Sequence, residues 1–300
     1  MIVQTQDRQT TDTPVVVAVG EVLWDCFPDG ARFGGAPANY ACSLAELMPF
    51  GRVRMLSAAG TDERGSAAVQ ELLAHGVDTS LLQQSQYPTG QVFVETDTNG
   101  IASYRFAEHS AWDALVWQPE LQQVARDCHA VCFGTLGQRK LDSAAVIRRF
   151  VSETNPDCLR ILDLNLRAPW FNDKVIAISL ELCNVLKVNE EELEYLAAMH
   201  GFSGTAEKQM GQFCESLGLR LMAVTRGENG ADLCDCIQFY SRPALRVQVR
   251  DTVGAGDAFA AAMTRGLLQG DSPGTILESA TKAAAFVCTQ SGGTPHFPHS

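Results

Sequence analysis

Short apolar runs alternate with amphipathic segments along most of the chain. Val15–Val19 is a continuous apolar run rich in β-branched residues, as expected for a buried parallel strand. Further strands are predicted at 54–59, 130–134, 160–164, 184–188 and 221–225, and helices at 38–48, 63–75, 142–151, 205–217, 258–269 and 272–290. This β–α alternation predicts one α/β domain built on a mainly parallel sheet.

The alternation is interrupted after the second helix. Two strand-like runs, 91–95 and 102–106, flank Asp97-Thr98-Asn99-Gly100, and Asn-Gly between such runs is a strong hairpin signal. We interpret the segments 22–33 and 88–112 as a small β lid, with an ordinary edge hairpin as the alternative. Residues 22–30 are predicted to be a loop, and further short strands are predicted at 232–236, 237–240 and 245–249. The domain then spans 14–298, after a flexible tail at 1–13.

Composition excludes several classes of function. The formal charge of −12 and the pI of about 4.9 argue against a nucleic-acid partner, which requires basic surface. No apolar run reaches the roughly 18 residues of a membrane helix, and the N-terminus does not resemble a secretory signal. The ten cysteines are therefore expected to be reduced thiols in a cytoplasmic protein. Cys234-Asp235-Cys236 lacks zinc-site spacing, and His75, His109 and His129 show no metal spacing either.

The stretch 251–269 combines a glycine turn with the start of a helix. Gly254 and Gly256 allow a ligand to approach the backbone closely, because neither has a Cβ. The free amides and the dipole of a first helical turn favour a bound anion. Asp257 lies in the same turn, where a carboxylate could accept a proton from a nucleophile. An ordinary helix start with an acidic first-turn residue is the alternative.

A second glycine pair, Gly34 and Gly35, precedes the helix predicted at 38–48. Asp25 and Asn39 flank this pair and place two polar side chains at the carboxyl edge of the sheet. Open α/β sheets bind their ligands at that edge. A polar ligand site is therefore predicted between the first strand and the first helix.

Taken together, the motifs 34–41 and 251–259 resemble those of the ribokinase-like sugar kinases of the PfkB type. They lie more than 200 residues apart, in the expected order, and each stands at a strand-to-helix junction. The intermediate motifs Asp163-x-Asn165-x-Arg167, Asn189-x-x-Glu192 and Thr225-Arg226-Gly227-x-x-Gly230 also fit. The resemblance implies a ribokinase-like fold, with helices on both faces of the sheet. It also implies transfer of the γ-phosphoryl group of ATP to a sugar hydroxymethyl group, with Mg²⁺.

The resemblance assigns a role to each motif residue. Asp257 matches the catalytic base, and the backbone of Gly254, Ala255 and Gly256 matches the anion hole. The sugar-side positions are Asp25, Gly34, Gly35 and Asn39, and Arg167 suits a phosphate or a sugar edge as a planar donor. The nucleotide-side positions are Thr225, Gly227, Gly230 and Lys282, and Asn189 and Glu192 match a motif for Mg²⁺ and phosphate or form only a helix cap. Asp251 and the Val253 carbonyl are candidates for a monovalent cation such as K⁺.

The segments 20–27 and 34–39 look most like those of fructokinases, so fructose is the first substrate hypothesis. Ribose, 2-keto-3-deoxygluconate and aminoimidazole riboside are the alternatives. A sugar- or nucleotide-binding regulator without turnover is a different class, which the intact Gly254-Ala255-Gly256-Asp257 disfavours. A nicotinamide dehydrogenase is disfavoured because the first βα turn lacks G-x-G-x-x-G. By the same resemblance, a homodimer formed through the lid is expected.

Overall fold

The computed structural model describes residues 13–96 and 102–298, which fold around one large β-sheet. In chain order the strands are β1 (Val15–Val19), β2 (Leu23–Phe27), β3 (Gly30–Gly34), β4 (Arg52–Gly60), β5 (Leu82–Ser85), β6 (Gly90–Thr96), β7 (Ala102–Phe106), β8 (Ala130–Phe133), β9 (Leu159–Asp163), β10 (Val185–Asn189), β11 (Leu221–Thr225), β12 (Ala231–Cys234) and β13 (Phe239–Arg242). The large sheet has nine strands in the order β13-β12-β11-β10-β9-β8-β1-β4-β5. Seven neighbouring strands of this sheet run parallel to one another: β11, β10, β9, β8, β1, β4 and β5. The strands β12 and β13 pair antiparallel at one edge. The predicted mainly parallel sheet is confirmed.

Helices cover both faces of the large sheet. They are α1 (Ala36–Leu47), α2 (Glu63–Ala74), α3 (Glu120–Asp127), α4 (Leu141–Ser152), α5 (Asp173–Leu182), α6 (Glu190–His200), α7 (Ala206–Leu217), α8 (Ala255–Gln269) and α9 (Pro273–Cys288). Val16 and Ala18 of β1 belong to the apolar cluster formed with α1, α2, α8 and α9, whereas Val17 and Val19 belong to the cluster formed with α3 to α7. Successive side chains of a strand point to opposite faces, so the continuous apolar run of β1 buries both. No helix within the described residues is long and apolar enough to cross a membrane.

Four strands form a second, smaller sheet in the order β3-β2-β6-β7. The predicted hairpin is present as β6 and β7, and its predicted turn at 97–100 lies outside the described residues, as does nearly all of the predicted tail at 1–13. The loop predicted at 22–30 is wrong, because β2 occupies most of that segment and pairs with β3 and, in parallel, with the distant β6. A long-range pairing of this kind leaves little local signal. The movement of this sheet as a lid stays a prediction.

One predicted strand and two predicted helix starts also differ from the structure. Residues 245–249 are not a strand, and most of them, Leu245, Arg246, Val247 and Val249, line a large cavity instead. The apolar residues of this segment therefore belong to a cavity wall rather than to a sheet. The helices α1 and α8 begin at Ala36 and Ala255, earlier than predicted, so each includes residues of its glycine motif.

Candidate active site

The glycine turn at 251–256 forms the N-terminus of α8. Gly254 is its N-cap with a φ of 79°, and a Cβ there would collide with the Gly293 carbonyl oxygen. Both the conformation and the close approach therefore require glycine. The Asp251 carboxylate accepts hydrogen bonds from Val253 N at 3.1 Å and from Gly292 N at 3.0 Å. The segment after α9 thus holds the turn before α8, whose first amides are the predicted anion hole.

Asp257 lies in the first turn of α8 and has only 9% of its surface exposed. Its Oδ2 accepts a hydrogen bond of 2.9 Å from Nδ2 of Asn39 on α1. Burial, and then the Asp163 carboxylate, raise the pKa of Asp257 to about 6, whereas Lys187 and the Asn39 hydrogen bond act in the opposite direction. A carboxylate with this pKa is ionised and still basic near neutral pH, as a general base must be.

Asn39 offers a further polar atom at this point. Its Oδ1 is buried and has no hydrogen-bond partner within the described residues. Buried polar atoms are rarely left without a partner, so this oxygen is an unsatisfied acceptor beside Asp257.

A buried ion pair lies beneath the N-terminus of α8. Nζ of Lys187 on β10 is 2.9 Å and 3.1 Å from the carboxylate oxygens of Asp163, its register partner on β9. A Cβ on Gly256 would lie 2.9 Å from the same Nζ. Burial would lower the pKa of Lys187, but the Asp163, Asp257 and Glu192 carboxylates outweigh it and raise that pKa. The charged ammonium therefore adds positive potential to the anion site.

Two more carboxyl groups lie within the electrostatic range of Arg167, and one of them, Glu21, also lies within that of Asp257. Burial raises the pKa of Glu21 to about 7 and that of Asp25 to about 6, and Arg167 partly offsets the shift in both. Arg167 also opposes the raised pKa of Asp257, so one guanidinium influences all three groups. These interactions and the Asn39 hydrogen bond connect five residues. We call this set the polar pocket: Glu21, Asp25, Asn39, Arg167 and Asp257. The residues predicted for the sugar side and the predicted base therefore converge.

The glycines before α1 allow this convergence. Gly34 ends β3, and a Cβ there would lie 2.7 Å from Oδ2 of Asp25. Gly35 precedes α1 with a φ of 106°, and a Cβ there would lie 2.6 Å from the carbonyl oxygen of Glu21. Any side chain at either position would displace a member of the polar pocket.

A cavity of about 860 Å³ adjoins the N-terminus of α8, and Ala255 and Gly256 form part of its wall. Of the residues predicted for the nucleotide, Thr225, Gly227 and Gly230 line it. Small and apolar residues of 244–249 and of α9 contribute much of the remaining wall. We call this space the large cavity, and its volume suits a ligand of nucleotide size.

The structure places three predicted nucleotide-side residues elsewhere. Asn189 and Glu192 form a reciprocal capping box at the start of α6, and Glu192 also accepts a hydrogen bond of 2.7 Å from Leu166 N. Both oxygens of Glu192 thus bind backbone amides, which supports the alternative that the motif is a helix cap. Lys282 is not among the residues that line the large cavity, and its exposed ammonium pairs with Glu278 at 2.7 Å. Any role of these three residues toward Mg²⁺ or ATP stays a prediction.

Sequence analysis missed three residues that shape the site: Glu21, Lys187 and Gly293. A signal existed for Lys187, because a lysine within the apolar strand Val185–Asn189 needs a buried partner, and Asp163 ends the neighbouring predicted strand. Glu21 directly follows the loop residue after β1, and only the packing around it shows that it is buried. Gly293 follows α9, and its contact with Gly254 depends on tertiary packing.

Comparisons with known proteins establish the family and the fold of the chain. The family model described as "pfkB family carbohydrate kinase" matches residues 20–299. The chain therefore belongs to the pfkB family of carbohydrate kinases, and the resemblance found in its motifs is confirmed. Among curated relatives, fructokinase-1 of Oryza sativa subsp. japonica is 27% identical, over 95% of this chain and 94% of that protein.

Solved structures share the fold. Fructokinase from Xylella fastidiosa with bound ATP has a TM-score of 0.83 at 23% identity and covers 95% of both chains. Fructokinase from Vibrio cholerae O395 in a fructose, ADP and calcium ion bound form has a TM-score of 0.76 at 23% identity, covering 94% of this chain and 95% of that one. The ribokinase-like α/β fold is thus confirmed.

Proposed function

We propose that this chain transfers the γ-phosphoryl group of ATP to the hydroxymethyl group of a sugar, with D-fructose as the substrate and fructose 6-phosphate as the product. The single observation that carries the proposal is the position of the α8 N-terminus. Ala255 and Gly256 line the large cavity, while the next residue, Asp257, is hydrogen-bonded into the polar pocket. A nucleotide in the first space and a sugar in the second would meet at that helix end.

The chemistry follows from this position. A sugar hydroxyl in the polar pocket would give its proton to Asp257, and its oxygen would attack the γ-phosphorus while the bond to ADP breaks. The negative charge on the transferred group is stabilised by the first-turn amides of α8 and by the Lys187 ammonium nearby. Asn39 holds one oxygen of Asp257 and thereby orients the other toward the hydroxyl. Positioning and charge stabilisation are the main demands of phosphoryl transfer.

Mg²⁺ fits the site as a companion of the nucleotide. It usually binds through phosphates, waters and one or two carboxylates, and it would neutralise phosphate charge. Both oxygens of Glu192 bind backbone amides, so a role of this side chain toward such an ion stays a prediction. The Asp251 carboxylate accepts two backbone hydrogen bonds and stays the candidate ligand for K⁺, together with the Val253 carbonyl.

Fructose is favoured by the motif resemblance and by relatives named as fructokinases. The test is ATP consumption over a panel of fructose, ribose, 2-keto-3-deoxygluconate and aminoimidazole riboside, each with and without K⁺. Formation of the phosphorylated sugar must be measured in parallel, because water can also accept the phosphoryl group. Fructose should give the highest kcat/KM, and a higher value for another member would replace it as the substrate.

A non-catalytic regulator is the second class to separate from a kinase. It would bind the sugar and ATP but form no phosphorylated sugar with any member of the panel. The complete set of Asp257, Asn39 and the α8 N-terminus favours turnover. The homodimer through the small sheet and the cytoplasmic location stay predictions, and light scattering with variants on that sheet would check the first.

A further inference from the structure

A second cluster of ligating side chains lies away from the active site, where three separate segments meet. Glu46 belongs to α1, His75 caps the C-terminus of α2, and His296 belongs to the segment after α9. Nδ1 of His75 is 2.5 Å and Nδ1 of His296 is 2.6 Å from the same oxygen of Glu46. We call these three residues the Glu46 cluster.

Neighbouring contacts orient the Glu46 cluster. The two imidazole rings stack with centroids 4.4 Å apart and planes at 23°, so that both Nδ1 atoms face one carboxylate. The other oxygen of Glu46 accepts a hydrogen bond of 2.6 Å from Phe297 N. The side chains of His75 and Glu46 are 4% and 14% exposed, whereas that of His296 is 69% exposed. The cluster is thus anchored in the protein on one side and open to water on the other.

We propose that Glu46, His75 and His296 bind one divalent transition-metal ion, and that Zn²⁺ fits best. Two imidazole nitrogens and one carboxylate oxygen form a ligand set that Zn²⁺ accepts, with water as the fourth ligand. Mg²⁺ and Ca²⁺ prefer oxygen ligands and are not suited to it. The three ligand atoms lie within 4.8 Å of one another, and two ligands of a tetrahedral zinc ion are about 3.3 Å apart. The stacked rings would have to rotate so that the lone pairs of their Nδ1 atoms point to one position.

The ion would connect the C-terminal segment to α1. That segment also contains Gly292, which hydrogen-bonds Asp251, and Gly293, which packs against Gly254 and Asn39. The Glu46 cluster would therefore stabilise the segment that holds the turn before α8. This inference concerns a separate site and does not depend on which sugar the active site accepts, or on whether it phosphorylates one.

Metal binding is tested on the full-length protein after dialysis against a chelator. Titration with Zn²⁺ against a chromophoric competitor should give one equivalent bound per chain. Free thiols could also bind zinc, and Cys236 is exposed, so Co²⁺ is the second probe. Nitrogen and oxygen ligands should give a Co²⁺ spectrum without thiolate-to-metal charge transfer, whereas a strong charge-transfer band would place the ion on cysteine and overturn the proposal.

Three variants localise the site. His296→Ala changes an exposed side chain and should fold, Glu46→Gln preserves the side-chain shape, and His109→Ala is a matched control at an exposed histidine. The first two should weaken Zn²⁺ binding by at least about tenfold, and the control should not. Zn²⁺ should also raise the melting temperature of the wild type, but not that of His296→Ala. Wild-type protein that binds no Zn²⁺, or equal affinity in all variants, would mean that the cluster is only a hydrogen-bonded anchor.

Discussion

The polar pocket and the large cavity meet at the N-terminus of α8, but the chain builds them in different ways. Members of the polar pocket come from distant parts of the chain, and the hydrogen bond between Asn39 and Asp257 spans 218 residues. The lining of the large cavity comes from one continuous region, residues 225–288, and much of it is small or apolar. The first site therefore depends on buried charges and long-range packing, and the second depends on shape.

This difference predicts separable effects of substitution. A change in the polar pocket should alter the chemical step or sugar binding while sparing ATP, because the cavity wall is built independently. A change in the cavity wall should alter ATP binding while sparing the sugar. The α8 N-terminus, which contributes to both sites, is where the two effects should combine.

The largest effect is expected at Asp257. Asp257→Asn removes the base while preserving its size, so kcat should fall by about 10²–10⁴-fold. The Kd for ATP, measured by calorimetry, should stay close to the wild-type value. Asp142→Asn is the matched control, because Asp142 is also an acid in the first turn of a helix, on α4. Turnover near the wild-type level in Asp257→Asn would show that Asp257 is not the general base.

Asp25 should affect the sugar alone. Asp25→Ala removes a carboxylate that can accept charge-assisted hydrogen bonds from sugar hydroxyls, and the KM for the sugar should rise about 10- to 100-fold. The KM for ATP should not change. Asp29→Ala is the control, because Asp29 lies near Asp25 but is exposed and paired with Arg32. An unchanged sugar KM would show that Asp25 does not contact the substrate.

Lys187 should affect the pH dependence of kcat. Asp257 must be ionised to act as a base, so kcat should fall as the pH decreases through its pKa of about 6. Lys187 lowers that pKa, and Lys187→Met should therefore move the acid limb of the kcat profile to higher pH. The plateau should fall on the order of tenfold, because the anion site loses nearby positive charge.

The control for this pH experiment is Lys174→Met, an exposed lysine in the first turn of α5. It should leave both the limb and the plateau unchanged. Because Lys187→Met leaves Asp163 unpaired, the double variant Asp163→Asn/Lys187→Met separates loss of stability from loss of charge. An acid limb that stays in place in the single variant would contradict the electrostatic coupling.

The smallest effect is expected at Lys282. Its ammonium is exposed and paired with Glu278 one turn away, so Lys282→Ala should change the KM for ATP less than about twofold. Ala285→Phe, on the part of α9 that lines the large cavity, should raise that KM because the ring would occupy nucleotide space. A large rise of the KM for ATP in Lys282→Ala would instead support a role of Lys282 in nucleotide binding.

The motifs at 34–39 and 251–257 could be assigned because their chemistry is local. A glycine turn followed by a helix start and an acid is a local pattern that favours an anion site, so Asp257 and the amides before it could be predicted as a candidate site from the sequence. Thr225, Gly227 and Gly230 were predicted for the nucleotide side by the family resemblance, and all three line the large cavity. Lys282 was assigned from its helix alone, and a helix assignment does not establish which face meets a cavity.

The β–α alternation predicted the parallel sheet, since short β-branched apolar runs between amphipathic helices are typical of strands buried on both faces. Tertiary structure alone decided that Glu21, Lys187 and Gly293 reach the same helix end, and that His75 and His296 share one carboxylate. Strand pairing and the packing of the chain ends bring such residues together across large sequence separations. A local sequence pattern does not indicate those contacts.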